Sequence, residues 1–178
     1  VAITGRTSSI TNSFINSIIP VVIPTGAEVE AALRILGMAD RVRCAYCGDA
    51  FTEWDHLRPL VVGKRPTGYI SEIHNLVPAC GKCNQSKGNK HWRDWMFGPA
   101  KLSPATRQVS DLTTKAELLA AYEDWLPPTK LDFEALVGHE LWAEHWQHHE
   151  RIVTAMREAQ LNAVKIREQI RTTYLSAL

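Results

Sequence analysis

The chain has no stretch approaching the roughly 18 consecutive apolar residues that a membrane-spanning helix needs. Its one concentrated apolar run, Phe14 to Ile23, is short and interrupted by Pro20, which also makes a poor secretory leader. There is no low-complexity tract and no internal repeat, so solenoid and fibrous architectures are excluded. Charge of one sign is missing too: the formal net charge is only +1 across 178 residues. The total hides an asymmetry. Residues 41–95 hold nine Lys and Arg against five Asp and Glu, a surplus of four positive charges. Residues 111–178 hold seven against eleven, a deficit of four. A basic segment of this kind attracts polyanions such as a phosphate backbone.

Cysteine is scarce, and all four cysteines fall in that basic segment. They come as Cys44-Ala45-Tyr46-Cys47 and Cys80-Gly81-Lys82-Cys83. Two thiolates separated by two residues wrap a tight turn around one zinc ion, and two such turns complete a closed tetrahedral site. A closed site leaves no position for water, so this zinc is structural. It requires reduced thiols, which places the protein in the cytoplasm. Phosphate-binding loops are absent, because Gly63-Lys64 and Gly81-Lys82 lack the surrounding pattern. His139, His145, His148 and His149 crowd one segment without the Glu of a zinc-protease motif, and with Glu140, Glu144 and Glu150 among them they read as a solvated or interface face.

Periodicity divides the chain into an N-terminal helical segment (1–40), a compact core (41–98) and a C-terminal helical region (99–178). A short amphipathic helix is expected from Ala27 to about Met38. In the core, strands are expected at Phe51–His56 and near Tyr69–Ile73, followed by one helix from Cys83–Asn84 to Trp95 or Met96. A further helix should begin at Thr113-Thr114 and stop before Pro127-Pro128. Beyond Gly138 neither Gly nor Pro occurs, so residues 139–176 can form one helix about 57 Å long. Ile152, Met156, Ala159, Ala163, Ile166 and Ile170 recur there at steps that place them on one seam, which suggests a homodimer through the C-terminal helix. The other use of that seam is packing on the N-terminal helices.

Between and after the cysteine pairs lie Asp55-His56, then Asn75 nineteen residues on in His74-Asn75-Leu76-Val77-Pro78, then Asn84 in Cys83-Asn84-Gln85-Ser86-Lys87. With these elements in this order, residues 44–95 resemble the HNH endonuclease family. The resemblance implies a small ββα-metal fold, so the whole chain is expected to be mainly α with helical elaborations on both sides of that core. It implies that Asp55 and Asn84 are ligands of a catalytic Mg2+ or Mn2+, that His56 is the general base and that Asn75 orients the His56 strand. Elementary chemistry agrees. One carboxylate and one amide oxygen are hard donors suited to such ions, and an imidazole suits proton abstraction near neutrality. Lys87, one turn after Asn84, is a candidate for contact with the scissile phosphate. Arg58, Lys64, Arg65, Lys90, His91 and Arg93 are candidate DNA contacts, while Trp92 and Trp95 read as core.

The activity implied is hydrolysis of phosphodiester bonds in double-stranded DNA, leaving 5′-phosphate and 3′-hydroxyl ends, in an enzyme of restriction or defence type. Two alternatives stand beside it: a low-specificity nicking nuclease of a phage or mobile element, and a zinc-stabilised DNA-binding module without catalysis.

Overall fold

A computed structural model describes residues 2–176. In chain order its elements are a 3-10 turn at Ile3–Arg6, α1 (Thr7–Asn16), α2 (Gly26–Ile35), β1 (Glu53–His56), β2 (Val61–Val62), β3 (Arg65–Pro66), a second 3-10 turn at Ile73–Asn75, β4 (Leu76–Ala79), α3 (Gly81–Lys87), α4 (Trp92–Met96), α5 (Leu112–Trp125), α6 (Phe133–Val137) and α7 (His139–Ser176). The fold is mainly α with a small strand core. It forms two compact units, one of residues 19–131 and one that joins residues 1–18 to 132–178.

In the 19–131 unit, α2 begins with a capping box. The Glu28 amide donates to Thr25 Oγ1 at 3.3 Å, and the Thr25 amide donates to Glu28 Oε2 at 2.7 Å. The helix closes on Gly37 at φ +67°, where the Met38 amide reaches back to the Leu33 carbonyl and the Gly37 amide to Arg34, satisfying two of the last carbonyls. β1 and β4 pair antiparallel, with Asp55 opposite Val77 and His56 opposite Leu76. The second strand of the pair is therefore Leu76–Ala79, not the expected Tyr69–Ile73. The latter segment has only isolated bridges, Tyr69 to Lys130 and Val21 to Ser71, because a 3-10 turn intervenes before the chain runs extended. The single helix expected from Cys83–Asn84 to Trp95 or Met96 is also two helices. Gly88 adopts φ +53° and ψ −124°, a conformation open only to glycine, which ends α3 and reorients the chain before α4.

The core of this unit packs Leu36 and Ala32 of α2, Tyr46, Leu57, Val77, Trp92, Trp95 and Met96 against Leu119 and Tyr122 of α5. Trp92 and Trp95 are fully enclosed, as a packing role requires. The Tyr122 hydroxyl, with its one O–H, sits between the carbonyls of Ile73 and Leu76 within hydrogen-bonding reach of both, at the turn that delivers β4.

In the other unit α7 is one uninterrupted helix over the expected range. It packs on α1, and Trp146, His149 and Val153 on it are buried. His149 Nε2 lies 2.9 Å from Thr11 Oγ1, and His145 Nε2 lies 3.1 Å from the Phe14 carbonyl, with the Phe14 ring against both imidazoles. His145 and His149 are thus packing residues. Of the proposed seam, Ile152, Ile166 and Ile170 remain 41%, 52% and 63% exposed. Among the described residues no helix is long and apolar enough to cross a membrane.

Candidate active site and metal centre

The two cysteine turns meet. The first is closed by the Gly48 amide donating to Cys44 O at 2.8 Å and the Cys44 amide donating to Asp49 O at 2.9 Å. The second places Cys80 at the N-cap of α3 and Cys83 in its first turn. The amide of Ala45 donates to Pro78 O at 2.8 Å, so β4 carries the first turn directly against the second. The four sulfur atoms lie within 4.8 Å of one another, and Cys47 Sγ to Cys80 Sγ is 3.7 Å. A tetrahedron with Zn–S bonds of about 2.3 Å has S···S edges of about 3.8 Å. The donor set and spacing therefore fit one zinc ion. Hydrogen bonds from Cys47 and Cys83 draw the Cys44 thiol down to about 4, while hydrogen bonds with Cys44 and Cys47 push the Cys83 thiol up. Arg107 adds a cation at this edge, with Nη1 3.5 Å from Cys83 Sγ and Nη2 2.9 Å from Asp49 Oδ2.

From this cluster the chain enters β1. Successive residues of a strand face opposite ways, and Asp55 and His56 do so. Asp55 points inward and is 5% exposed. Its Oδ2 accepts from the Tyr46 hydroxyl at 2.7 Å and lies 3.1 Å from Lys87 Nζ, which is 3.3 Å from Oδ1. The same ammonium donates to the His56 carbonyl at 2.7 Å. Burial pushes the Asp55 carboxyl above its usual range against the pull of Lys87 and Tyr46, and burial draws the Lys87 ammonium down against the pull of Asp55. Burial, then the Asp55 charge, raises the Tyr46 phenol well above its ordinary value, which keeps it a neutral donor.

His56, the last residue of β1, is half-buried, with Nε2 3.0 Å from Ser71 Oγ. Burial and the nearby Lys87 ammonium lower it to about 4, so its ring is neutral near pH 7. Asn75 is fully buried. It accepts from the Arg58 amide at 2.7 Å and donates to the carbonyls of Arg58 and Ile70, each at 3.1 Å, clamping the chain just after β1. Asn84 sits half-buried on α3, one turn before Lys87.

The lysine expected at the phosphate is instead enclosed: Lys87 has 0% exposure and spends its charge on Asp55 and the strand backbone. Arg58 Nε is 2.5 Å from Glu123 Oε1, an ion pair that leaves the Arg58 side chain partly exposed. Lys64 and Arg65 lie at the exposed tip of the β2–β3 ribbon, where Gly63 and Lys64 both take positive φ, the geometry of a tight hairpin turn. Lys90 Nζ donates to the Ser86 carbonyl at 3.0 Å, His91 stacks on Trp92, and the Arg93 guanidinium lies 4.8 Å from the Trp92 ring centroid. Sequence reasoning missed Tyr46, Ser71, Arg107 and Glu123 as partners. Only Tyr46 carried a signal, its place between two zinc-spaced cysteines.

Could a divalent cation be held at Asp55? A carboxylate offers about four lone-pair sites. Tyr46 and Lys87 engage three here, two on Oδ2 and one on Oδ1, and the His56 backbone N–H bonds to the same carboxylate. By donor chemistry alone, a carboxylate and the amide oxygen of Asn84 are the hard oxygen donors that suit Mg2+ or Mn2+.

Comparison with known proteins gives a concordant result. Residues 44–90 match the HNH endonuclease family. A segment of 57 residues is 40% identical to the CRISPR-associated endonuclease Cas9 of Corynebacterium diphtheriae, covering 30% of this chain and 5% of that protein. The chain thus spans a small fraction of the length of that relative. No solved structure gives a significant match. The antiparallel β1–β4 pair followed by α3, with the four-cysteine cluster at its base, is the part of the chain that matches the HNH endonuclease family.

Proposed function

We propose that the protein is a metal-dependent endonuclease that hydrolyses phosphodiester bonds of double-stranded DNA. The observation that carries this reading is the pairing of Asp55 and His56 on one strand end inside the family-matched segment. Asp55 is buried and oriented; His56 is half-exposed with a neutral ring. In this reading His56 is the general base. It accepts a proton from water as the water oxygen attacks phosphorus and the bond to the 3′ oxygen breaks, leaving 5′-phosphate and 3′-hydroxyl ends. Ser71 holds the imidazole through Nε2, and Asn75 holds the backbone that follows it. Asp55 and Asn84 would hold Mg2+ or Mn2+, which when bound stabilises the charge that develops on the leaving oxygen. Zinc on Cys44, Cys47, Cys80 and Cys83 is structural.

Lys64 and Arg65 on the ribbon, with Lys90, His91 and Arg93 beyond α3, form the phosphate-contacting surface in this reading. Arg58, paired to Glu123, serves the scaffold first and reaches DNA only if that pair opens. The helices outside residues 44–90 would supply sequence recognition, in keeping with a cytoplasmic enzyme of restriction type. Dimerisation through the exposed Ile152, Ile166 and Ile170 would bring two sites to opposite strands. Incubating the zinc-loaded protein with supercoiled plasmid in Mg2+, Mn2+ or chelator tests the reading. Metal-dependent nicking or linearisation, lost in His56→Ala, is the expected result, and DNA binding without any cleavage in either metal would leave the non-catalytic binding module.

A further inference from the structure

The phenol of Tyr46 joins the zinc-bearing turn to the buried carboxylate of β1. Tyr46 lies between Cys44 and Cys47, so its backbone is fixed on both sides by the sulfur cluster. The preceding residue is tied to β4 by the Ala45 amide donating to Pro78 O at 2.8 Å. Its ring is fully buried and meets Trp95 edge-on, with centroids 5.2 Å apart at 86°. Trp95 is itself anchored, since its indole N–H donates to Ser86 Oγ on α3 at 2.9 Å. A side chain held at backbone, ring and hydroxyl loses little further entropy in holding its partner. What it holds is Asp55 Oδ2, at 2.7 Å.

We propose that Tyr46 is a positioning residue for the catalytic strand: through its hydrogen bond to Asp55, the zinc-bound turn sets the orientation of the carboxylate that takes the divalent cation. This rests on the reading above that Asp55 is a cation ligand. The Lys87 ammonium spans both oxygens, at 3.1 and 3.3 Å, and so does not single out either one. The Tyr46 hydroxyl does: it engages Oδ2 and fixes how the carboxylate is turned about its own axis. Without the hydroxyl the carboxylate can rotate against the ammonium, and its oxygens are no longer held in the one orientation that the zinc-bearing turn imposes. Zinc in this arrangement acts at a distance on the site where cleavage takes place, through one phenol.

The test is Tyr46→Phe in the full zinc-loaded chain, which keeps the ring and its Trp95 contact and removes only the hydroxyl. Titration with Mn2+ in the absence of DNA, followed by calorimetry or the Mn2+ spin signal, reads the site without cleavage. The expected result is one zinc retained per chain, Mn2+ binding weakened by about tenfold, and kcat for plasmid nicking lowered by at least as much with KM for DNA unchanged. Mn2+ affinity and kcat both within twofold of wild type would overturn the proposal. If the variant is too unstable to titrate, its unfolding is compared in the wild-type and Asp55→Asn backgrounds. A cost that disappears with Asp55→Asn shows that Tyr46 acts through the carboxylate, whereas an equal cost in both makes it a packing residue only. Asp55→Asn on its own separates the two levels. If it still binds Mn2+ and cleaves, the assignment of Asp55 fails; if it is inert while Tyr46→Phe behaves as wild type, only the role of Tyr46 fails.

Discussion

Replacing Lys87 with Met removes the ammonium but keeps an unbranched stem in the same space. The structure fixes what this should cost. Lys87 and Asp55 have side-chain exposures of 1% and 6%, so the pair is screened by almost no solvent. Removing one member leaves a buried carboxylate with no cation beside it, held only by the Tyr46 hydroxyl and the His56 backbone N–H, and the His56 carbonyl loses its 2.7 Å donor as well. Breaking a buried pair in this way typically costs about 3–5 kcal/mol, a large part of the roughly 5–15 kcal/mol that holds a domain folded. At about 2–4 °C per kcal/mol for a chain of this size, the melting temperature should fall by about 6–20 °C. Asp55→Asn combined with Lys87→Met removes both charges and should recover part of that loss, because no uncompensated ion remains. Urea unfolding of the zinc-loaded single and double variants measures it. A Lys87→Met protein within about 1 kcal/mol of wild type would refute the reasoning, and would return Lys87 to the role of a solvated phosphate contact.

The remaining expectations follow from neighbouring contacts. Elemental analysis should find one zinc per chain, and Cys80→Ser should lose it together with the folded state of residues 44–90, since the metal closes a segment with a small core. His56→Ala should reduce cleavage by more than about 100-fold with DNA affinity nearly unchanged, because a base acts in the transition state; retention of one-tenth of the activity contradicts that role. Asn75→Ala strands three backbone partners, the part-buried Arg58 amide and carbonyl and the buried Ile70 carbonyl, and should cost about 3 kcal/mol or more by denaturant unfolding, at roughly 1–3 kcal/mol for each group left unpaired and toward the low end for the part-buried ones. Light scattering should give twice the monomer mass if the exposed Ile152, Ile166 and Ile170 seam pairs two copies; a mass near 20.0 kDa at micromolar concentration rules that out.

What was legible in the sequence was whatever depends on spacing along the chain. The cysteine pairs, the Asp55-His56 step and α7 are all set by residues within a few positions of each other, and each occurs in the structure where its spacing put it. The misplaced second strand shows where local reading stops. Tyr69–Ile73 has the better strand composition, yet pairing with β1 goes to Leu76–Ala79, whose residues Pro78 and Ala79 also receive the Ala45 and Thr52 amides beside the zinc cluster. A strand that joins the metal turns satisfies more backbone donors than one that merely has β-branched side chains, and that advantage is invisible to a window of five residues. Lys87 is the same lesson in side-chain form. On its own helix it reads as a solvated charge one turn from Asn84, and only the approach of β1, 31 residues earlier, turns it into the buried partner of Asp55 and of the His56 carbonyl. The cation that sequence alone assigns to the substrate is consumed by the scaffold. In the reading proposed above, the charge that meets DNA then comes in part from the Lys64–Arg65 tip of the β2–β3 ribbon, which its turn carries to the surface.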